Sequence, residues 1–293
     1  MITSFQELER HVLSHGLRGR IALANAQDEP ALAALVRAQR AGAAEGTLIG
    51  PADEIARLLR RMGEQVSDYE IVPFTGTELD AAKLAVRTVR EGRADMLMKG
   101  LLHTADFARA ILNRETGLMP QTGRRLLSQC GFFQYDGRIV LITDAAININ
   151  PDVETQIGIV ENTLPVAHAL GIETPKVAVL SAVETVSEKM PSTVTAREVA
   201  RRGIPGCVVS GPLAIDSALS RESARRRSAT PWPGRRICCS CRMSRWGTSC
   251  IRPAAASRGI RWPARSAARP ARSSSTAAAT RTIRSTIRFS SPP

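Results

Sequence analysis

The alternation of strand-like and helix-like patterns along most of the chain is the feature that most constrains its fold. Short apolar runs such as "GRIALANA" (19–26) are typical of buried strands. The run is followed by a segment with helical apolar spacing (28–43), where Asp28 can cap the helix and Pro30 falls in the first turn. Regular succession of the two element types predicts parallel strands joined by crossover helices, an α/β fold.

The same patterns predict the positions of the main elements. Strands are expected at 19–26, 46–50, 69–74, 94–100, 138–143, 176–181 and 206–211, and helices at 28–43, 52–63, 78–91, 104–113 and 153–170. We expect a first α/β domain over 1–143, the start of a second over 144–220, and an aberrant, disordered basic tail over 221–293. In such folds ligands bind beyond the carboxyl ends of the strands.

The end of the predicted strand 94–100 carries the first candidate site. Lys99 and Gly100 lead into a helix whose start offers Thr104 as a cap. A cation beside the free amides of a helix N-terminus can hold a phosphate group, although a surface lysine before an ordinary helix is more common. His103 taken alone is no argument for a ligand site, because a single histidine is more often a capping or packing residue.

A second candidate segment is "PQTGRRLLSQCGFF", which places Arg124, Arg125 and Ser128 within one predicted helical turn. Two guanidinium groups suit a phosphate or the phosphates of a nucleotide, whereas solvated arginines are the more common case. Asp144 follows the strand 138–143, where a carboxylate can orient a substrate, accept a proton or cap the next helix.

Two later strands are predicted to end in small polar residues, at Ser181 and at the pair Ser210 and Gly211. These too would lie where a parallel sheet offers its ligand edge. The chain contains no Walker A loop, no GxGxxG and no HExxH, so the standard nucleotide and zinc motifs are absent.

The formal charge of +13 comes wholly from the tail. Residues 221–293 hold 17 Lys and Arg against the single acidic Glu222, a charge of +16, while residues 1–220 hold 23 basic and 26 acidic residues, a charge of −3. A slightly acidic body gives no support to nucleic-acid binding. No apolar run reaches the ~18 residues that span a membrane, and the N-terminus lacks an apolar signal core. We therefore expect a cytoplasmic chain with reduced cysteines.

Five segments together resemble one enzyme family. In order they are "LMKGLLHTADFARAIL", "GLMPQTGRRLLSQCGFF", "ITDAAININP", "VAVLSAVETVSEKMPSTVTA" and "VVSGPLAIDSALS". This set resembles the phosphate acetyltransferase and phosphate butyryltransferase family, and the butyryl type more closely. The resemblance is strong over about residues 90–220 and rests on pattern alone before that.

The resemblance implies transfer of a short acyl group, acetyl or butyryl, between coenzyme A and inorganic phosphate. It also implies a two-domain fold like that of isocitrate and isopropylmalate dehydrogenases, an active site in the cleft between the domains, and a homodimer. Coenzyme A or acyl-CoA would be a substrate, and the scheme requires no bound cofactor and no metal.

Such a reaction needs cations for two phosphate-bearing reactants, donors aimed at the carbonyl oxygen, and a group that handles the thiol proton. The chain retains none of the family's catalytic residues, and Ser128 and Asp144 are the candidates for a catalytic role among the residues that it does have. The candidate substrate-binding residues are Lys99, Gly100, His103, Thr104, Arg124, Arg125, Ser210 and Gly211.

The tail departs from the family. The family's catalytic serine, arginine and aspartate lie near the C-terminus in a motif of the type SRADS, which nothing in 221–293 matches. Instead, "ICCSCRMSRWGTSC" (237–250) holds four cysteines. We expect the C-terminal part of the fold to be missing or replaced, and the activity of this version to be impaired.

A shifted reading frame accounts for that departure. With 36 Arg against 4 Lys the gene is expected to be GC-rich. We consider the reading frame whose codons begin at the third base of each codon of the given sequence. From Ala229 to Ile251 this frame permits "HPVAGxADMLLVPDVEVGNILY", and further on it permits "QIILNSRGDTHDTIN". Both have the form of the missing family segments, in the family's order. We call this the alternative frame, and predict a frameshift between about codons 218 and 228.

Other interpretations stay open. A zinc site from Cys238, Cys239, Cys241 and Cys250 lacks paired CxxC spacing. An arginine-rich tail could contact nucleic acid non-specifically through phosphates. The alternative function is a noncatalytic acyl-CoA or phosphate-binding module with a basic tail. A third is a related dehydrogenase-like or phosphate-ester enzyme, against which the lack of a metal-binding aspartate cluster counts.

Overall fold

The computed structural model describes residues 1–226, 238–241 and 286–288. The chain divides into two compact units: unit 1 is Met1–Leu8 with Leu126–Ala264, and unit 2 is Glu9–Arg125 with Arg265–Pro293. The division precedes the boundary expected between residues 143 and 144, because strand Cys130–Tyr135 pairs with strand Arg138–Thr143 inside unit 1.

The helices and strands follow one another along the chain as expected for an α/β protein. The described helices are α1 (Phe5–Ser14), α2 (Glu29–Arg40), α3 (Ala52–Arg61), α4 (Glu78–Arg90), α5 (Thr104–Leu112), α6 (Val153–Ala169), α7 (Pro191–Arg202), α8 (Ile215–Leu219) and α9 (Arg221–Arg226), with a 3-10 turn at Val66–Asp68. The described strands are β1 (Gly19–Ala24), β2 (Ala44–Gly50), β3 (Glu70–Pro73), β4 (Met96–Lys99), β5 (Cys130–Tyr135), β6 (Arg138–Thr143), β7 (Lys176–Leu180), β8 (Val208–Leu213), β9 (Cys238–Cys241) and β10 (Thr286–Arg288).

Each unit is built on a five-stranded, mainly parallel sheet. In unit 2 the strand order is β10-β4-β1-β2-β3, with β10 antiparallel to β4 and the other neighbours parallel. In unit 1 the order is β5-β6-β9-β7-β8, with β5 antiparallel to β6 and the other neighbours parallel. The predicted α/β class is confirmed, and each sheet carries one antiparallel edge strand that the patterns did not predict.

Side-chain alternation along the strands of unit 1 builds two cores on opposite faces of one sheet. Ile139 and Leu141 belong to one buried cluster, whereas Val140 and Ile142 belong to another. Successive residues of a strand point to opposite faces, so a strand covered on both sides reads as a continuous apolar run. In unit 2 the main cluster contains Leu23 of β1, with residues of α2, β2 and α3.

The predicted strands and helices of the body are all present, with ends that move by a few residues. The sequence patterns missed α1, β5, α7, α8 and α9. The hairpin between β5 and β6 could have been predicted from the sequence pair Asp136-Gly137. In the structure these two residues have φ of 50° and 68°. An Asp-Gly pair with both residues at positive φ is the preferred two-residue hairpin turn.

The helical turn predicted around Arg124, Arg125 and Ser128 is wrong. These residues lie in a non-helical segment that leads into β5. Gly123 has a φ of 84°, in the left-handed region where a right-handed helix cannot continue.

Within the tail the structure describes three elements, α9 and the two strands at 238–241 and 286–288. The other tail residues, 227–237, 242–285 and 289–293, lie outside the described part of the chain. Within the described residues, no helix is both long enough and apolar enough to cross a membrane.

Candidate functional site

The carboxyl end of β4 forms a tight polar turn in unit 2. Lys99 is the last residue of the strand, as predicted. The backbone N–H of Gly100 donates to the carbonyl oxygen of Ala24 at 2.9 Å. A Cβ atom at Gly100 would lie 2.1 Å from the carbonyl oxygen of Asn25, so only glycine fits here without moving the backbone.

The Lys99 ammonium is half-buried beside this turn. Its Nζ donates to the carbonyl oxygens of Leu102 at 2.7 Å and Gly100 at 3.2 Å. An ammonium has three N–H donors, so one remains for a ligand. Asp28, at the start of α2, lies close to Lys99. Burial raises the pKa of the Asp28 carboxyl group, and the charge of Lys99 has a smaller effect in the opposite direction. The strand end therefore presents a cation with a nearby carboxylate.

His103 lies at the start of α5, where the structure makes it the N-cap residue. Thr104 was expected as the cap but is the first residue of the helix, and no side-chain cap bond forms. The His103 backbone N–H and ring Nδ1 both contact Glu78 Oε2, at 2.6 and 2.7 Å. These bonds from His103 hold the pKa of the Glu78 carboxyl below its usual value.

Glu78 is a residue that sequence reasoning missed. It is the first residue of α4, 25 positions before His103. No local pattern joins the two, since they meet only because both helices start at one edge of the sheet. Glu78, His103 and Asp106 form the one group of three or more side chains in the described residues whose ligand atoms, all within 4.8 Å of one another, could hold a metal ion.

The two arginines lie on the exposed segment after α5. Arg125 donates weakly to the carbonyl oxygens of Leu112 and Asn113, each at 3.4 Å, at the end of that helix. Arg124 is exposed and also has an interaction partner. In unit 2 the structure thus places Lys99, Gly100, His103 and Thr104 in one turn, and Arg125 at the opposite end of the same helix.

In unit 1, Asp144 follows β6 as predicted, but its carboxylate is used internally. It is 1% exposed and accepts the backbone N–H groups of Ala146 and Ile147, each at 2.9 Å, and of Asn148 at 3.3 Å. The side-chain amide of Asn148 adds a bond of 2.6 Å. Four donors on a buried carboxylate favour a role in organising this loop over a role in moving a proton.

Ser128 is held on the same side of unit 1 by two asparagines. Asn162 of α6 donates to the Leu126 carbonyl at 2.9 Å and contacts the Ser128 hydroxyl at 3.1 Å. Asn148 joins the loop of Asp144 to the same segment, because its amide also donates to the Leu127 carbonyl at 2.9 Å. The two candidate catalytic residues are therefore linked through the backbone of 126–128.

Ser210 and Gly211 are not at a strand end, which corrects the sequence-based expectation. β8, an edge strand of its sheet, continues to Leu213, and Ser210 pairs in register with Ala178 three residues before that end. A Cβ atom at Gly211 would lie 2.8 Å from Cβ of Val179, so this glycine serves close packing. Ser181 does follow β7, and its hydroxyl contacts that of Ser192 at 2.8 Å.

The candidate residues thus form two groups, one in each unit. The prediction that Lys99, Thr104, Arg124, Ser128, Asp144 and Ser210 converge on one cleft joins residues of both units, and it stays a prediction. Cys130 is no nucleophile candidate, because burial, with a smaller effect of the Asp144 charge, raises the pKa of its thiol to about 12.

Comparison with known proteins gives a consistent result. The family model described as phosphate acetyl/butaryl transferase matches residues 55–235. A phosphate butyryltransferase of Clostridium acetobutylicum is 44% identical over 236 residues, covering 78% of this chain and 77% of that protein. A phosphate acetyltransferase of Thermotoga maritima is 33% identical, covering 73% and 74%.

A solved structure supports the same relationship. The branched-chain phosphotransacylase of Enterococcus faecalis superposes with a TM-score of 0.67 at 26% identity, covering 81% of this chain and 84% of that one. The butyryl type is the better match in sequence, as the segment comparison predicted.

Proposed function

Because the chain belongs to the phosphate acetyl/butaryl transferase family, we propose that its chemistry is transfer of a short acyl group between coenzyme A and inorganic phosphate. The observation that carries the proposal is the family match across 55–235, together with 44% identity to a phosphate butyryltransferase. The noncatalytic binding module is not favoured, since the relatives named above are transferases.

The residues of unit 2 suit the phosphate-bearing reactant. The free N–H of Lys99 and the amides at the start of α5 attract an oxyanion, because a helix N-terminus carries partial positive charge. Arg124 and Arg125 lie after the opposite end of α5, so the proposed phosphate contact at this turn depends on Lys99 and the helix amides. The described residues of this turn fit phosphate better than they fit an apolar ligand.

In unit 1, the described candidate residues mainly hold loops in place and do not contribute groups that are free to react. Asp144 and Asn148 hold the loop after β6, and Asn162 holds Ser128. The Ser128 hydroxyl could donate to the carbonyl oxygen of the acyl group as negative charge develops there. We further propose the fold relationship to isocitrate and isopropylmalate dehydrogenases, an active site between the domains, a homodimer, and a cytoplasmic location.

We also propose that the tail is translated in a shifted frame and that this impairs the enzyme. β9 lies between β6 and β7, both of which are almost fully buried. A strand in that place should be a run of apolar residues. The written residues 238–241 are Cys-Cys-Ser-Cys, whereas the alternative frame reads Leu-Leu-Val across them.

The experiment has two arms. Resequencing the gene tests the frame: we expect the alternative frame to stay open, without stop codons, through the "SRGD" segment. Purified protein is then assayed for phosphate-dependent release of free thiol from butyryl-CoA and acetyl-CoA. If a frame-restored chain releases no thiol from either ester, the proposed reaction is wrong. A stop codon soon after position 220 in the alternative frame would remove the frameshift proposal alone.

A further inference from the structure

Two of the chain's four histidines meet at the carboxyl end of α1, away from the candidate residues for acyl transfer. His11 lies in α1, and His15 directly follows its last residue. Residues four positions apart lie above one another on the same face of an α-helix. The two imidazole rings have their centroids 4.2 Å apart and their planes tilted by 39°. Both side chains are exposed, so the two rings are accessible to an ion from solvent.

The backbone fixes the spacing of the two histidines. The His15 N–H donates to the His11 carbonyl oxygen at 3.2 Å, the i to i−4 hydrogen bond of an α-helix. Gly16 has a φ of 61°, and the Leu17 N–H donates to the Val12 carbonyl oxygen at 3.1 Å. This is the glycine stop of a Schellman motif. The helical geometry therefore includes His15 and ends directly after it.

The ring of His15 is oriented by the helix itself. Its Nδ1 lies 2.8 Å from the carbonyl oxygen of His11, and a carbonyl oxygen only accepts hydrogen bonds. Nδ1 is thus the donor, which leaves Nε2 of His15 as the atom with a lone pair. Metal-binding histidines commonly donate one ring N–H to a backbone carbonyl and bind the ion through the other nitrogen.

The place of the pair in the helix favours a cation. The last carbonyl groups of a helix carry partial negative charge, and the first N–H groups carry partial positive charge. The group of Glu78, His103 and Asp106 lies at helix starts, and the Asp106 carboxylate is already paired with Arg109 at 2.6 Å. The carboxyl end of α1 is therefore the better place for a metal ion.

We propose that His11 and His15 form a binding site for a divalent transition-metal ion of the kind that imidazole favours, such as Ni²⁺, Zn²⁺ or Cu²⁺. Metal–nitrogen bonds of about 2.0–2.1 Å place two ligand nitrogens roughly 3 Å apart, which small rotations of two adjacent exposed rings can reach. Histidines four apart on one helix face are also the pair that binds zinc in an HExxH helix. The ion would link the two side chains across the last helical turn and stabilise this end of α1.

The test measures Ni²⁺ binding to the full chain by calorimetry at about pH 7.5, where histidine side chains are in general neutral. Ni²⁺ is the probe because thiolates favour Zn²⁺, and the chain has six cysteines. We expect a Ni²⁺ site whose affinity falls at least about tenfold in His11→Gln and in His15→Gln, because a single imidazole lacks the advantage of two linked ligands. Mg²⁺, which prefers oxygen ligands, should not bind there.

Two control variants separate the spacing of the histidines from their number. His168→Gln removes an exposed histidine in the last turn of α6 and should leave the Ni²⁺ affinity unchanged. Leu13→His combined with His15→Gln keeps four histidines in the chain, but positions 11 and 13 do not face each other on a helix. This chain should bind Ni²⁺ as weakly as His15→Gln alone. Leu13 is 40% exposed, so a polar side chain is compatible with folding there.

Amide hydrogen exchange gives a readout confined to α1. With Ni²⁺ at about a hundred times its dissociation constant, protection of the amides of residues 15–17 should rise at least about tenfold in the unchanged chain and should not rise in His15→Gln. Equal Ni²⁺ affinity in the unchanged chain and both single variants, or full affinity in the Leu13→His, His15→Gln chain, overturns the proposal. Affinity that is lost in His103→Gln and kept in both single variants also overturns it, because the ion would then bind at the start of α5.

Discussion

The strands β1 and β9 hold the same place in the two sheets, third of five with a parallel neighbour on each side. β1 reads Gly-Arg-Ile-Ala-Leu-Ala and its last four residues are buried. β9 reads Cys-Cys-Ser-Cys and comes from the basic tail. Central parallel strands are apolar because both faces are covered. The same place in the two sheets is therefore held by two very different sequences, a difference that the proposed shift of reading frame would produce.

The largest expected effect compares one buried leucine in each sheet. Leu23 lies in register between Leu48 and Met98, whereas Leu141 lies beside Cys238. Leu23→Ala should lower the free energy of unfolding of unit 2 by about 3–5 kcal/mol. Leu141→Ala should cost unit 1 about 1 kcal/mol less, because a neighbouring strand of small residues allows the site to contract.

Amide hydrogen exchange on peptides from each sheet would measure these two costs separately, since the units need not unfold together. An equal or greater cost at Leu141 would contradict the difference between the two central strands.

The next effect concerns the loop after β6. Asp144→Ala should lower the stability of unit 1 by about 2–4 kcal/mol, because it leaves the N–H groups of Ala146 and Ile147 and the amide of Asn148 without their acceptor. Asp144→Asn keeps one oxygen acceptor and should cost about half as much. Urea titration followed by circular dichroism would measure both. Stability unchanged in Asp144→Ala would show that the carboxylate is free for another role.

A smaller effect contrasts the ligand edges of the two units. Lys99→Gln should weaken phosphate binding about tenfold, because it removes the cation of the β4 turn. Ser210→Ala should change binding less than about twofold, because Ser210 lies within β8. Arg226→Gln, at an exposed end of α9, is the matched control. A larger loss from Ser210→Ala than from Lys99→Gln would reverse the assignment of the phosphate site to unit 2.

The smallest effect is on the cysteines of the body. Burial raises the thiol pKa of Cys130 to about 12 and of Cys207 to about 11, so their folded-state pKa values exceed the unfolded ones. Their contribution to stability is complete below the unfolded value and is lost as pH rises toward these folded values. Cys130→Ser should flatten the decline in unit 1 stability at alkaline pH. An unchanged pH profile would show that Cys130 ionises as freely in the folded protein as in the unfolded one.

Much of the fold could be predicted because it follows from local patterns. The apolar run around Leu23 and the Pro30 helix start each show their structure within a few residues. Partners far apart in sequence could not be found in this way. Glu78 meets His103 only after both helices reach the same sheet edge, and Asn148 meets Leu127 only after β5 folds back on β6.

The candidate site was predicted less completely than the fold, for a related reason. A polar residue at a strand end is a ligand group only if its hydrogen-bonding capacity is not already used. Lys99 keeps a donor, whereas Asp144 has four internal donors. Ser210 was misplaced because the strand runs three residues beyond it to Leu213. Sequence shows the type of residue, and the contacts show what that residue has left to offer.

The most direct test of the central claim is the rate of acyl transfer from butyryl-CoA to phosphate, measured side by side for the written chain and a chain with its reading frame restored after about codon 220. We expect almost no turnover by the written chain and at least about a hundredfold more by the restored one, the scale of losing catalytic groups that act on the transition state. Equal rates from the two chains would contradict the claim, because the written tail would then be as competent as the segment it is held to replace.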